Sequence, residues 1–220
     1  MVSGSPKPLV IIGAGGFGRE VAWLVKEIND VRPEWEFLGF VDDHATGRTI
    51  EGYPILGTTA WLKEAGHDRS VHVVCAIGGH RTRRRVVDPI EAAGLSFATL
   101  VHPSVRSSRW VEVGAGSIIC AGTILTTNIQ VGKHSILNLG CRVGHDTTLG
   151  DFCSMMPGTN IAGEVTVGEG CYFGLNACVI NRTRVGEWSI IGAGAAVVRD
   201  IPARVVAVGV PAKPIKTIEE

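Results

Sequence analysis

Neither sign of charge prevails in this chain: 21 Lys and Arg stand against 21 Asp and Glu. No basic excess therefore argues for a nucleic acid or an anionic membrane as partner. Long hydrophobic runs are missing too, and the apolar stretch at residues 9–12 is far too short to span a bilayer. The opening residues, Met1 to Pro8, lack the charged-then-apolar order of a signal peptide, so a cytoplasmic location is expected. The six cysteines, Cys75, Cys120, Cys141, Cys153, Cys171 and Cys178, form no C-x-x-C pair and no Cys/His cluster with zinc spacing. That removes the strongest metal patterns, no metal is expected, and buried free thiols are the better reading.

Glycine is plentiful, at 29 of 220 residues, and much of it lies after residue 112, where a repeat appears. Every sixth residue from Val113 to Val197 is apolar, through Ile119, Leu125, Val131, Leu137 and onward. Four places after each comes a mostly small residue, such as Ser117, Thr123, Ser135, Cys141 or Ala195, and glycine often follows the apolar one, as at Gly114, Gly132 and Gly144. A helix of period 3.6 cannot keep a strict step of six on one face, whereas short strands broken by turns can. Three strands make one triangular coil, and coils stack at roughly 4.8 Å with the apolar residue on the axis. The expected fold of this half is a parallel β-helix, with small residues at corners where bulk would clash.

The first hundred residues alternate differently. Strands are expected at 9–12, 36–41 and 71–77, and helices at 19–28, 58–65 and 82–93, which gives a small Rossmann-like βαβαβ sheet with helices on its faces. The join falls near His102-Pro103, so two domains are expected, 1–102 and 103–220.

Gly13-Ala-Gly15-Gly16-Phe-Gly18 fits G-x-G-x-x-G between a strand and a helix. Its glycines let backbone approach a phosphate at a helix N-terminus, although a ligand-free tight turn uses the same residues. Asp42 and Asp43 follow the second strand, where such folds place a carboxylate on a ribose hydroxyl; a solvated turn is the alternative. Three strands leave little room for a nicotinamide, so a mononucleotide portion of a ligand fits better. Gly78 and Gly79 end the third strand at the same sheet edge. In the basic run that follows, Arg83 is the candidate phosphate contact.

His145 stands outside both the apolar and the small-residue rows and is followed by Asp146. An imidazole takes a proton at cellular pH, and a carboxylate beside it fixes the tautomer and raises basicity, as general-base catalysis requires. An exposed turn histidine would look the same. Cys141, Cys153 and Cys171 fall in the small-residue row, so packing explains them without a nucleophile. For His102 and His134, which lack an adjacent carboxylate, a structural role is expected.

The glycine motif, Asp42-Asp43, the six-residue step, Asn138, Gly144-His145-Asp146, Pro157 and the ending Val208-Gly-Val-Pro-Ala-Lys213 together resemble the bacterial NeuD/PglD-like sugar O- and N-acetyltransferases, from about Leu9 to Lys216. That resemblance implies a left-handed β-helix, a homotrimer with active sites between subunits, acetyl-CoA as co-substrate and a nucleotide-linked amino sugar bound by the N-terminal domain. It implies His145 as general base and Asp146 as its orienting carboxylate. Gly15, Gly16, Asp42, Asp43 and Gly78 match positions near the nucleotide, and Asn138 one near the sugar. Gly163, Leu175 and Ala193 match positions that hold the pantetheine arm or thioester by backbone groups. The chain departs from the pattern at Ser154, where several relatives carry a second histidine, and at Phe17, polar in some members.

The expected activity is acetyl transfer to the amine of a UDP-, GDP- or dTDP-linked 4-amino-4,6-dideoxy sugar. O-acetylation of sialic acid or another sugar hydroxyl uses the same residues. A nucleotide-binding oxidoreductase and a non-catalytic β-helix scaffold are the readings from other classes.

Overall fold

The computed structural model describes residues 5–45, 47–65 and 71–219, which separate into two compact units, Met1–Pro103 and Ser104–Glu220. In the first unit a buried strand, β1 (Lys7–Ile12), leads into α1 (Gly16–Val31), β2 (Trp35–Val41), β3 (Thr49–Ile50), β4 (Tyr53–Gly57), α2 (Thr59–Ala65), β5 (His72–Cys75), α3 (His80–Ala92) and β6 (Ser96–Phe97). The sheet order is β3-β4-β2-β1-β5-β6. Only β3 runs antiparallel to its neighbour.

The expectation of three strands is corrected to six. The missed ones lie at the sheet edges and carry no apolar run: β3 and β6 are two residues each, and β4 is exposed to half-buried and contains Pro54, whose missing N–H suits an edge region. The widening matters for ligand placement. Strand order reverses at β1, which pairs with β2 on one side and β5 on the other. Open parallel sheets place their ligand crevice at the carboxyl ends flanking such a switch point.

The second unit is a left-handed parallel β-helix of three sheets. Each residue pairs with the one 18 positions on, as in Ile118 with Ile136 and Ile136 with Ser154, so three six-residue steps close one coil. The six-step apolar row fills the axis: Ile119, Leu137, Met155, Phe173 and Ile191 are at most 0% exposed, and only Val113, on the first coil, is partly open. The unit closes with an antiparallel pair, Val205–Val208 against Lys213–Thr217.

Two features of the corners go beyond the sequence reading. The buried small-residue row is a hydrogen-bonding row: Ser135 Oγ donates to the Gly150 carbonyl at 3.1 Å and accepts from the Cys153 N–H at 3.1 Å. Thr147 repeats the pattern with Ala162 and Val165. In addition, every sixth residue from Gly116 to Gly194 has a left-handed backbone, with φ of 52° at Asn128, 57° at Asp146 and 59° at Glu164. Glycine and asparagine suit that conformation best.

Candidate active site

The carboxyl ends of β1, β2 and β5 frame a cleft of about 490 Å³ in the first unit, lined by Gly15, Phe17, Asp42, His44, Thr59 and Gly78 among others. Its glycines divide by role. A Cβ on Gly18 would lie 2.0 Å from the Gly13 carbonyl oxygen, and Gly13 itself has φ of 97°, so these two let α1 pack closely on β1. A Cβ on Gly15 or Gly78 would meet nothing within 4 Å, and one on Gly16 only the end of Arg19 at 4.0 Å. Gly15 and Gly78 line the open side, and Gly16 begins α1, whose first turn carries its positive dipole end.

Both aspartates brace backbone. Asp42 accepts from the Ala14 N–H at 2.9 Å and the His44 N–H at 2.8 Å, tying the glycine loop to the end of β2. Asp43 accepts from the backbone and hydroxyl of Thr59, at 2.7 Å and about 3.0 Å, and so anchors the start of α2. A carboxylate has about four acceptor positions, so each retains capacity for a ribose hydroxyl. Arg83 corrects its expectation. It is 1% exposed, and its Nη1 donates to the carbonyls of Ile77 at 2.8 Å and Gly78 at 3.1 Å. The guanidinium shapes the Gly78 loop from beneath; it is not presented to a phosphate.

In the second unit, His145 and Asp146 occupy the corner between the strands Arg142–Val143 and Thr148–Leu149. His145 Nδ1 lies 2.7 Å from Asp146 Oδ2, and the two side chains are 57% and 49% exposed, so the pair stands open on the prism edge. With Nδ1–H donating to the carboxylate, Nε2 keeps its lone pair free to accept a proton. Asn128, one coil below, donates from Nδ2 to Asp146 Oδ1 at 2.5 Å. Its amide and then His145 hold the Asp146 carboxyl below the usual carboxylate range. One coil above, Gly163 faces the ring: a Cβ there would lie 2.6 Å from His145 Nε2.

Gly163, Leu175 and Ala193 share a corner position with His145, each a multiple of six residues away. Among the described residues, the backbone N–H of each of these finds no hydrogen-bond partner. The β-helix thus presents outward donors at its edges. They divide between two edges: His145 and Gly163 on one, Leu175 and Ala193, on successive coils, on the preceding one. Asn138 lies on that preceding edge, in the same coil as His145 and separated from it by the strand Arg142–Val143; its Oδ1 accepts from the Leu139 N–H at 2.7 Å. The structure brings His145, Asp146 and Gly163 together and leaves the other three apart from them in a single copy. Ser154 is fully buried on its own sheet, Ser154–Met155, and contributes nothing to the His145 edge.

Burial pushes the Cys141 and Cys171 thiols up to about 12 and the Cys75 thiol to about 11, so none offers a thiolate at neutral pH. His102, which has no carboxylate beside it in sequence, finds one across the fold: its Nε2 lies 2.9 Å from Glu27 Oε2. His134 is buried and stacks on Phe152. No cluster of three metal-ligating side chains occurs among the described residues, and no helix among them is long and apolar enough to cross a membrane.

Residues 8–90 match the family model of the PglD N-terminal domain. Over 122 residues the chain is 32% identical to the GDP-perosamine N-acetyltransferase of Escherichia coli O157:H7, covering 55% of this chain and 54% of that enzyme, so the match spans about half the length of this curated relative. The acetyltransferase domain of PglB from Neisseria gonorrhoeae FA1090, in complex with acetyl coenzyme A, superposes with a TM-score of 0.89 at 31% identity, over 96% of this chain and 100% of that one. PerB from Caulobacter crescentus, in complex with CoA and GDP-perosamine, does so with a TM-score of 0.87 at 31% identity, over 98% and 99%.

Proposed function

Because the chain belongs to the PglD-like sugar acetyltransferases, we propose that it transfers the acetyl group of acetyl-CoA to the amine of a nucleotide-linked 4-amino-4,6-dideoxy sugar. The observation that carries this reading is the oriented imidazole: Nδ1 is tied to Asp146, and Nε2 opens beside the Gly163 backbone. His145 takes a proton from the sugar amine as its nitrogen attacks the thioester carbonyl. The Gly163 N–H, without a partner among the described residues, receives the oxyanion of the tetrahedral intermediate. Collapse breaks the C–S bond, and the imidazolium returns the proton to the departing thiolate. The raised thiols give no support to an acyl-cysteine intermediate, which favours direct attack.

The donor position is read from the second edge. Leu175 and Ala193 would hold the pantetheine arm through their N–H groups, while the base stands on the next edge, two to three coils lower and across a six-residue step of roughly 20 Å of extended chain. One copy therefore supplies half of each site, and a homotrimer would place the donor edge of one subunit against the base edge of the next. The nucleotide belongs in the cleft at the β1/β5 switch point, its phosphates at the start of α1 beside Gly15 and Gly16. The relatives solved with CoA and GDP-perosamine support both substrate classes.

Turnover of acetyl-CoA, followed by release of its free thiol, tests the reading with matched GDP-, UDP- and dTDP-linked 4-amino sugars and their 4-hydroxy counterparts. The expected result is thiol release with an amino sugar, giving an amide. Acetylation of the hydroxy sugars alone would replace this reading by O-acetyl transfer.

A further inference from the structure

The Asp146 carboxylate is held from two sides. His145 Nδ1 meets Oδ2 at 2.7 Å, and Asn128 Nδ2 donates to Oδ1 at 2.5 Å from one coil below. Dividing its two oxygens between neighbouring coils fixes the plane of the carboxylate, and with it the direction of the imidazole. The two coils are themselves laced together, because the Asp146 N–H donates to Thr127 O at 3.1 Å and the Gln130 N–H to Thr147 O at 3.0 Å. Asn128 is thus a donor on a rigid ladder.

The identity of the donor matters as well. On the same edge one coil above Asp146 stands Glu164, and its carboxylate is engaged by Arg182 at 3.1 and 3.2 Å. An arginine holds a carboxylate but also cancels its charge. Asp146 is instead gripped by a neutral amide, which orients it and leaves its full negative charge facing the imidazole, where positive charge develops when the base takes a proton. Asn128 also suits its corner: with φ of 52° it sits where Gly116 and Gly122 serve at earlier corners.

We propose that Asn128 is a positioning residue for the reaction, the third member of an Asn128–Asp146–His145 relay that orients the base; this rests on the reading of His145 as the general base. Asn128→Gly is the cleaner test, since glycine adopts the corner conformation without strain and removes the amide alone. Asn128→Asp keeps the shape but faces Asp146 with a second acid. Outer partners of metal-bound histidines typically matter 10- to 100-fold; by that analogy Asn128→Gly should lower kcat by roughly 10-fold or more, with KM for both substrates and melting temperature little changed.

The pH profile separates positioning from a structural role. Groups facing the pair along this edge are Glu164, with Arg182 on it, and Asn128. Loosening Asp146 by Asn128→Gly makes the imidazolium less favourable and moves the acid limb of kcat/KM to lower pH. The added carboxylate of Asn128→Asp moves it to higher pH. Opposite movements are the expected result; an unchanged kcat and limb in Asn128→Gly would overturn the proposal. If Asn128→Gly fails to fold, the limb of Asn128→Asp decides alone, and no movement overturns it. A parallel His145→Ala preparation keeps the two readings apart: full turnover there sinks the base assignment itself, whereas an inactive His145→Ala with an unaffected Asn128→Gly sinks only the relay.

Discussion

Gly163 has no side chain for a reason visible at the His145 ring. Because a Cβ would come within 2.6 Å of Nε2 and 2.7 Å of Cε1, Gly163→Ala must swing the imidazole aside, and its backbone is not in the left-handed region that would forbid alanine. The collision is with the end of a movable side chain, so folding should survive. Misplacing a catalytic group by about 1 Å can cost on the order of 10²-fold. Gly163→Ala should therefore lower kcat by about that factor while a melting curve shifts little. Steady-state kinetics beside thermal unfolding check this. His145→Ala should cost about 10² to 10⁴-fold in kcat, with acetyl-CoA binding by calorimetry retained. At this scale the sequence was partly legible. His145-Asp146 stood out because the two residues are adjacent, but Asn128 and Gly163 lie 18 residues away on either side and meet the pair only once the coils stack. Arg83 misled for a related reason, since a basic run on a helix does not tell which arginine turns inward.

At the scale of elements, the corners of the β-helix carry both stability and function. Ser135 is fully buried and joins Gly150 O to Cys153 N. Ser135→Ala leaves that carbonyl and that N–H short of a partner, which should destabilise by about 1–3 kcal/mol per group. Ser135→Cys should be far milder, since Cys153 and Cys171 already donate from this row to Gly168 and Gly186. Urea unfolding followed by circular dichroism compares the two. The six-residue step made the axis legible because one chemical property recurs there. The left-handed corner position did not show, since it accepts Gly, Asn, Asp, Glu, Arg, Phe, Trp and His alike.

The sheet of the first unit offers a pH test. His80, the first residue of α3, is 7% exposed, and burial, followed by Arg83 and Arg81, pushes its pKa down from 6.5 to about 4. The folded state keeps it neutral while the unfolded chain protonates it near 6.5, so between these values the unfolded state binds more protons. Stability should fall as pH drops from about 6.5 to about 4 and then level off in this contribution. Melting temperature measured across that window should lose part of its slope in His80→Gln. An unchanged slope would assign the acid sensitivity to other groups.

For the whole molecule, two structural units divide the proposed work: a switch-point cleft suited to a nucleotide, and a prism whose edges carry the His145–Asp146 pair and backbone N–H groups without partners among the described residues. The order of domains was legible, since the alternation of strands and helices stops where the six-residue step begins. The proposed base edge, with His145 and Gly163, and the proposed donor edge, with Leu175 and Ala193, lie apart in one copy. Acetyl transfer as proposed joins these edges from neighbouring subunits. Mixing subunits tests that most directly. A His145→Ala chain lacks the base, and an Ala193→Trp chain blocks the donor edge. Each should be inactive alone. Unfolded together and reassembled in equal amounts, they should recover about a quarter of wild-type activity, because a site needs an intact base edge from one copy and an intact donor edge from another. Separately refolded samples mixed afterwards should stay inactive. Recovery in the first case bears the account out; no activity from verified mixed assemblies would contradict it.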